Sequence, residues 1–140
     1  MGAKRPARRS GCPTAYALDI FGDRWTLLIV RDLMFNGRRR YSEFLEAGEG
    51  IATNILADRL SRLEACGIIT SSEDPASRRA KLYRLTPKGI DLVPLMVEMI
   101  VWSAKHDPES AAPGAFVRRA KRDRAGLLAE LASELAERKR

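Results

Sequence analysis

The chain has 140 residues, of which 45% are hydrophobic, so it can bury one core and leaves room for one domain plus a tail. No run approaches the roughly 18 apolar residues that span a bilayer, and no apolar segment follows the basic N-terminus, so we expect a cytoplasmic protein without a membrane segment or a secretory signal. Cys12 and Cys66 lie far apart and the chain has a single histidine, which predicts neither a disulfide framework nor a metal site, and no cofactor is expected.

The net charge of +7 is distributed unevenly along the chain. Residues 1–11 carry four bases and no acid, residues 12–106 carry thirteen bases and twelve acids, and residues 107–140 carry eight bases and six acids. The central segment is therefore almost neutral, although many of its bases are clustered at 38–40 and 78–84. For an anionic polymer as partner, the position of charge matters more than its sum. The first segment is predicted to be a flexible basic arm.

The first half of the chain has the pattern of four helices separated by glycine-bearing turns. Asp23 follows a glycine and precedes an apolar run, which makes it the predicted N-cap of the second helix. The sequence GEG forms the turn before the fourth helix, and Gly67 ends that helix. The predicted helices span residues 14–21, 24–36, 41–47 and 52–66.

After the fourth helix the apolar period changes from helical to strand-like. Predicted strands at 68–72 and 80–85 flank the segment EDPASRR, whose Asp-Pro step favours a turn, so this stretch is a two-stranded hairpin. Thr86 then caps a long helix, roughly 87–106, which Pro94 should kink. The predicted fold is mainly α with a small β-hairpin, the α+β arrangement of a winged helix-turn-helix.

The fourth predicted helix has two contrasting sides. Leu56, Leu60 and Leu63 fall together and form a core face. The other side is short and polar, as a helix in the major groove requires, and the side chain of Asn54 suits the edge of adenine. That opposite side contains Asn54, Ala57, Asp58 and Ser61.

Arginines surround this polar side. Arg59 and Arg62 at its borders, with the run at 38–40, are placed to contact phosphates, and the arginines of the predicted wing are placed to reach the adjacent backbone or minor groove. Asp58 does not suit a phosphate surface, and we expect it to pair with Arg62. The residues predicted to face DNA are Arg38, Arg39, Arg40, Ser42, Thr53, Asn54, Ala57, Arg59, Ser61, Arg62, Arg78, Arg79 and Lys81.

Three stretches of the chain, taken in order, resemble the HxlR-type family of bacterial winged-helix transcription regulators. They are CPTAYALDIFGDRWTLLIVRDLMFNGRRRYSEF, GIATNILADRLSRLEACGII and YRLTPKGIDLVPLM with a later VW, and the resemblance covers about residues 12–106. It implies a homodimer joined through the first and last helices of that region, DNA binding through residues 52–65 and control of a few genes. Many family members have a wing richer in hydrophobic and proline residues, whereas EDPASRR is shorter and more charged.

The last helix of that region supports the implied dimer. Its apolar positions cover more circumference than one hairpin and one helix can bury, which predicts a partner subunit. In such a dimer two recognition helices would face DNA about one helical turn, roughly 34 Å, apart, so the operator should be an inverted repeat. The residues predicted to form the dimer interface are Tyr16, Ile20, Leu95, Met99, Ile100 and Trp102.

Residues 107–140 lie beyond the resemblance. The segment 108–115 has the composition of a linker, and apolar residues then recur at helical spacing with charges between them, which predicts a C-terminal amphipathic helix. A helix packed back on the dimer is the preferred interpretation, and a separate partner-binding or ligand-gating element is the alternative. The apolar residues of this helix are Phe116, Ala120, Leu127, Leu128, Leu131 and Leu135.

Cys12 stands where the resemblance suggests a sensor. Some HxlR-type regulators sense oxidants or electrophiles through a cysteine close to the start of the first helix. Arg8, Arg9 and the N-terminus of that helix would favour the thiolate of Cys12. The alternative is that Cys12 packs beneath the dimer interface as a small apolar residue. Cys66 is expected to be a small buried residue, and a resolving thiol is the alternative.

Three functional classes compete for this chain. An enzyme would need a nucleophile with a base, a metal cluster or a phosphate-binding glycine loop, and the sequence offers none of these, so we predict that the chain is not an enzyme. A winged helix used only for protein contacts remains the alternative. The leading interpretation is a dimeric, sequence-specific regulator that binds double-stranded DNA, with an oxidant, an electrophile or a small ligand of unknown identity as its signal.

Overall fold

The computed structural model describes residues 5–7 and 10–138 of the chain. Its described part is mainly helical and contains a two-stranded antiparallel sheet, so the predicted fold class is confirmed. The chain forms two compact units, Met1–Gly89 and Ile90–Arg140. None of the described helices has both the length and the apolar character that crossing a membrane requires. The elements are α1 (Pro13–Phe21), α2 (Thr26–Phe35), α3 (Tyr41–Leu45), α4 (Thr53–Ala65), β1 (Ile69–Asp74), β2 (Ser77–Leu85), α5 (Pro87–Ile90), α6 (Val93–His106), α7 (Gly114–Arg122) and α8 (Arg124–Glu137).

The core of the first unit lies beneath α2, α3, α4 and the sheet. The three leucines predicted to form the inner face of α4 are all buried. The ring of Phe44 from α3 meets the ring of Tyr83 from β2 edge-on, with 6.2 Å between ring centroids. This packing fixes which side of α4 is left to solvent. The largest fully buried side chains of the unit are Phe44, Met34, Leu56, Leu60, Leu63, Ile69 and Val30.

The start of α2 depends on Asp23. Its Oδ2 accepts hydrogen bonds from the backbone N–H groups of Trp25 (2.9 Å) and Thr26 (3.2 Å). The helix begins at Thr26, slightly later than the predicted start at residue 24. The capping role expected of Asp23 is nevertheless present, because its carboxylate satisfies N–H groups that the first turn leaves without partners.

The turn between α3 and α4 is built on glycine. Gly48 and Gly50 have φ values of +89° and +75°, which side chains with a Cβ rarely adopt. Glu49 between them accepts a hydrogen bond from Nη1 of Arg31 on α2 at 3.0 Å. The turn is therefore anchored to α2, and α3 ends at Leu45 rather than at the predicted residue 47.

The hairpin is longer than predicted, since both strands extend towards the turn at Pro75 and Ala76. Oδ1 of Asp74 accepts the backbone N–H of Ala76 at 3.0 Å, which orders that turn. On the other edge of β2, the backbone N–H of Tyr83 donates to the carbonyl oxygen of Arg39 at 2.8 Å. The hairpin is thus bonded to the segment that leads into α3.

The predicted helix over residues 87–106 is wrong as a single helix, because the chain forms α5 and then α6. The hydroxyl oxygen of Thr86 accepts the N–H of Gly89 at 3.2 Å, as expected of a cap. Pro94 lies in the first turn of α6, where a missing N–H costs no intrahelical hydrogen bond. The proline therefore favours a new helix start at this point instead of a kink within one helix.

In the second unit, α7 and α8 both contact α6. Oδ1 of Asp123 accepts the N–H of Gly126 at 3.1 Å and starts α8, and a Cβ on residue 126 would collide with this carboxylate. Arg124 pairs with Glu98 of α6, and Ala120 and Leu127 are buried. The tail therefore forms two helices that pack on α6 of the same chain, where one interrupted helix was expected.

Candidate DNA-binding surface

We call α4 the recognition helix, and its N-terminal half presents an open polar surface. Thr53, Asn54 and Ala57 are all exposed. The phenolic O–H of Tyr41 donates to the backbone carbonyl of Thr53 at 2.8 Å, so the first residue of α3 is tied to the first turn of α4. Residues in the N-terminal part of a recognition helix are those that contact base edges in helix-turn-helix proteins.

The C-terminal half of the recognition helix is less accessible. Asp58, Ser61 and Arg62 are half-buried. Nη1 of Arg62 lies 4.0 Å from Oδ2 of Asp58, so the expected pair is present only as a long contact. The closer partner of Asp58 is its neighbour Arg59, whose Nη1 donates to the same oxygen.

Arg59 has two acidic partners instead of open solvent. Its Nε donates to Oδ2 of Asp23 at 2.9 Å, and its side chain is only 20% exposed. Burial raises the pKa of Asp23, but hydrogen bonds from Thr26, Arg59 and the backbone of Trp25 outweigh it and lower that pKa to about 2. The two acids hold the guanidinium of Arg59 against the protein, so its predicted phosphate contact competes with an internal ion pair.

Arg38, Arg39 and Arg40, here called the pre-α3 arginines, are also engaged within the chain. Nη1 of Arg38 lies 3.0 Å from Oδ1 of the buried Asp32. Nε of Arg40 lies 2.7 Å from Oδ2 of Asp74, and this guanidinium lowers the pKa of the Asp74 carboxyl. Arg39 is half-buried, and its backbone bonds the hairpin and α3.

The wing bases, Arg78, Arg79 and Lys81, are all exposed on β2. Within residues 5–7 and 10–138, no carboxylate forms an ion pair with any of them. Lys81 lies opposite Glu73 in the hairpin register, whereas Arg78 and Arg79 lie nearer the turn. Their charges are thus available to an anionic partner. Ser42, the remaining predicted contact, is exposed on α3.

The sequence interpretation missed the acids that organise this surface. Asp32 and Asp74 are buried and bind the pre-α3 arginines, and Tyr41 was not selected although it anchors the recognition helix. Asp23 was recognised as a cap, but its bond to Arg59 spans 36 positions of sequence. An aspartate in an apolar helix such as α2 is the one local signal that could have indicated a buried ion pair.

The predicted dimer interface is divided between the two units. On α6, Leu95, Met99 and Trp102 share one side and are 37%, 45% and 64% exposed. Ile100 is half-buried. On α1, Tyr16 is half-buried and Ile20 is buried within the chain, so Ile20 offers little surface to a partner. Leu18, which the sequence interpretation missed, is the exposed apolar residue of α1.

Cys12 is exposed and immediately precedes α1. The backbone N–H groups of Ala15 and Thr14 lower the pKa of its thiol, because they stabilise the thiolate. The expected contributions of Arg8 and Arg9 lie outside the described residues. Cys66 is buried, which places its thiol out of reach of dissolved oxidants and disfavours a resolving role.

A short helix, a turn containing two glycines of positive φ, an exposed polar helix and an antiparallel hairpin define a winged helix-turn-helix protein. The chain belongs to the HxlR-like helix-turn-helix family, whose sequence profile matches residues 20–111. The resemblance found in the sequence is thereby confirmed. The match ends before α7, so α7 and α8 lie beyond the family region.

Relatives in this family are named as regulators. The chain is 34% identical over 88 residues to sll1512 of Synechocystis sp., an uncharacterized HTH-type transcriptional regulator. That match covers 63% of this chain and 64% of sll1512, so it spans under two thirds of that relative. Among solved structures, the chain is similar to the reduced form of the transcriptional regulator YodB from Bacillus subtilis, at 32% identity and a TM-score of 0.57, covering 72% of this chain and 99% of YodB. It is also similar to the redox regulator HypR in its oxidized form, at 29% identity and a TM-score of 0.60, covering 68% of this chain and 97% of HypR.

Proposed function

We propose that this chain is a transcriptional regulator that binds double-stranded DNA sequence-specifically. The observation that carries the proposal is the exposed, polar N-terminal half of the recognition helix, with Asn54 in its first turn. On the neighbouring hairpin lie the exposed wing bases, which form no ion pair with the described residues. The helix supplies contacts to base edges, and the wing supplies contacts to phosphate. Family membership and the names of the relatives support the same class.

In this mechanism the recognition helix enters the major groove by its N-terminal end. The side-chain amide of Asn54 can make two hydrogen bonds to one adenine. In the productive rotamer Nδ2 donates to N7 and Oδ1 accepts from the N6 amino group. Ala57 is small enough to let the helix approach the bases. Arg78 and Arg79 contact the backbone beside the groove, which fixes the orientation of the protein.

The test begins with a duplex selected from a random library by the wild-type protein. Asn54→Ala should weaken binding to this duplex by roughly 1 to 3 kcal/mol, because the preference at one or two base pairs is lost. Binding to a scrambled duplex should change little. The matched control is Asn36→Ala, an exposed asparagine whose amide bonds Asp32 instead of facing the groove. Fluorescence anisotropy with both duplexes gives the two affinities.

Failure of the selection to enrich any sequence would overturn the proposal and favour the alternative, a winged-helix module for protein contacts. Equal binding of wild type and Asn54→Ala to every single-base variant of the selected duplex would remove the role given to Asn54.

We also propose that the regulator acts as a homodimer. The apolar side of α6 formed by Leu95, Met99 and Trp102 is too exposed for a buried helix face, and an isologous partner would cover it. Trp102→Asp should therefore shift the protein from dimer to monomer in sedimentation velocity at micromolar concentration. Ala129→Asp, an exposed position of α8, is the control. An undisturbed Trp102→Asp dimer would overturn this interface.

For the signal, we propose oxidation or alkylation at Cys12, an exposed thiol with a lowered pKa. A quinone would add to Sγ, forming a carbon–sulfur bond while the thiol proton passes to the hydroquinone. Diamide would remove two hydrogens from two thiols and leave a disulfide, with the second thiol supplied by another copy or by a small thiol. Either change adds bulk beside α1 and would alter the separation of the recognition helices.

Treatment with diamide or a quinone should change the affinity for the selected duplex in wild type and leave Cys12→Ser unaffected. Mass spectrometry of proteolytic peptides identifies the modified residue. An unchanged affinity after complete modification of Cys12, or an equal response of Cys12→Ser, would remove the sensor role.

A further inference from the structure

The carboxylate of Asp23 connects α2, which lies in the core, to α4, the recognition helix. It lies in the connection between α1 and α2, and its Oδ2 accepts the N–H of Trp25 at 2.9 Å at the start of α2. The same oxygen accepts from Nε of Arg59 at 2.9 Å, in the middle of the recognition helix. Its Oδ1 accepts the hydroxyl of Thr26. One carboxylate therefore connects the helix start of α2 to the side of α4.

Arg59 is held from a second direction. Nη1 donates to Oδ2 of Asp58, while Nε is used by Asp23. The side chains of Arg59 and Asp23 are 20% and 26% exposed, so both partners are largely enclosed. On the helical wheel Arg59 lies between the core side of α4 and the side that carries Asn54. Without Asp23, Asp58 would be the remaining acidic partner of this cation, and the Nε side of the guanidinium could turn towards a phosphate.

We infer that Asp23 is a positioning residue of the proposed DNA-binding function that withholds a cation from the DNA backbone, although it makes no contact with base or phosphate in that proposal. It acts by positioning Arg59. The ion pair keeps a cation at the border of the base-reading surface away from the DNA backbone, and it fixes the recognition helix against the start of α2. The inference rests on the proposed function.

The physical reason is that phosphate contacts add affinity for every sequence equally. An arginine that reaches a phosphate releases counterions and strengthens binding to random DNA, without information about the bases. Restraining Arg59 therefore lowers the affinity for every duplex by the value of one phosphate contact. A larger share of the remaining binding free energy then comes from the base contacts of Asn54.

The test is Asp23→Asn, because asparagine is also a good N-cap and can still accept the N–H groups of Trp25 and Thr26, yet it has no charge for Arg59. Affinities are measured by anisotropy for the duplex selected by the wild-type protein and for a scrambled duplex, over a series of KCl concentrations. Asp23→Asn should bind the scrambled duplex severalfold more tightly than wild type, and the salt slope should steepen by about 0.9, the value for one added phosphate contact. The selected duplex should gain by the same factor, so the ratio of the two affinities should not change.

A second variant separates positioning from folding. In Asp23→Asn/Arg59→Met the cation is absent, so the gain on scrambled DNA should disappear. Asp91→Asn, an exposed aspartate, is the matched control and should behave as wild type. A merely structural role would weaken both duplexes together, and no structural loss would tighten binding to scrambled DNA.

An unchanged or weaker affinity of Asp23→Asn for scrambled DNA would overturn the inference, as would persistence of the gain in the double variant. If wild type itself shows no preference for the selected duplex, the proposed function fails and the inference fails with it.

Discussion

The pre-α3 arginines and the wing bases look alike in sequence but differ in the folded chain. Both are short runs of positive charge, and both were predicted to contact phosphate. Arg38 and Arg40 pair with the buried Asp32 and Asp74, whereas Arg78 and Arg79 are exposed without an ion pair to any described residue. A run of arginines therefore indicates a phosphate surface only where the fold brings no carboxylate to it.

The ion pairs of the pre-α3 arginines connect neighbouring elements of the fold. Arg38 connects the end of α2 to the segment before α3, and Arg40 connects the start of α3 to the turn of the hairpin. These ion pairs stabilise the arrangement of α2, α3 and the hairpin around the recognition helix. Within the described part of the chain the wing bases make no such connection, so their positive charges are available for an anionic partner. The first cluster positions the candidate DNA-binding surface, and the second is part of the surface that we propose contacts DNA.

The largest expected effect is the loss of stability on removing Asp32, the acidic partner of Arg38. Oδ1 of Asp32 accepts from Arg31, Arg38 and Asn36, and the side chain is only 4% exposed. Asp32→Ala removes all of these bonds and leaves two guanidinium groups without their shared partner. The free energy of unfolding should fall by about 2 kcal/mol, measured by urea denaturation.

Asp91→Ala, at an exposed position, serves as the control and should change stability by no more than about 0.5 kcal/mol. If Asp32→Ala were as stable as wild type, the pre-α3 arginines would not be structural, and the contrast between the clusters would be lost.

The next effect concerns DNA affinity. Arg78→Ala/Arg79→Ala should weaken binding to selected and scrambled duplexes alike, and the slope of log affinity against log salt should fall by about 1.8 for two lost phosphate contacts. Arg38→Ala is the comparison from the other cluster, and its slope should change by less than that of one contact. Equal slope changes in the two variants would show that pairing with Asp32 does not withhold Arg38 from DNA.

Local patterns predicted the elements of the first unit well. The leucine spacing of α4, the Asp-Pro turn of the hairpin and the glycines around α4 all depend on neighbouring residues, and the structure has each of them. Asp23 and Thr86 act as the caps that their positions indicated. The exposure of Asn54 followed from the same helical spacing.

Contacts between distant residues were not predictable in this way. Arg40 and Asp74 are 34 positions apart, and no short window of sequence contains both. The same limit applies to Arg59 and Asp23, and it explains why the charge runs alone predict phosphate contacts. On α1, Ile20 is buried and Leu18 is exposed because they point in different directions. The sequence of a nine-residue helix alone does not indicate which of its sides packs against the core.

The smallest expected effect is a pH dependence of stability at Asp23. Its pKa in the folded chain is about 2, below the ordinary value of 3.8, so the folded state favours the charged form. The resulting stabilisation is complete above about pH 4 and is lost as the pH falls towards 2, because the unfolded chain binds a proton first. Urea midpoints between pH 5 and pH 2 should fall less in Asp23→Asn than in wild type. Arg59→Met should give an intermediate decline, because hydrogen bonds from Thr26 and Trp25 still lower the pKa of Asp23. Identical declines in all three proteins would mean that the Asp23–Arg59 pair does not stabilise the folded state. It would then differ from the ion pairs of Arg38 and Arg40.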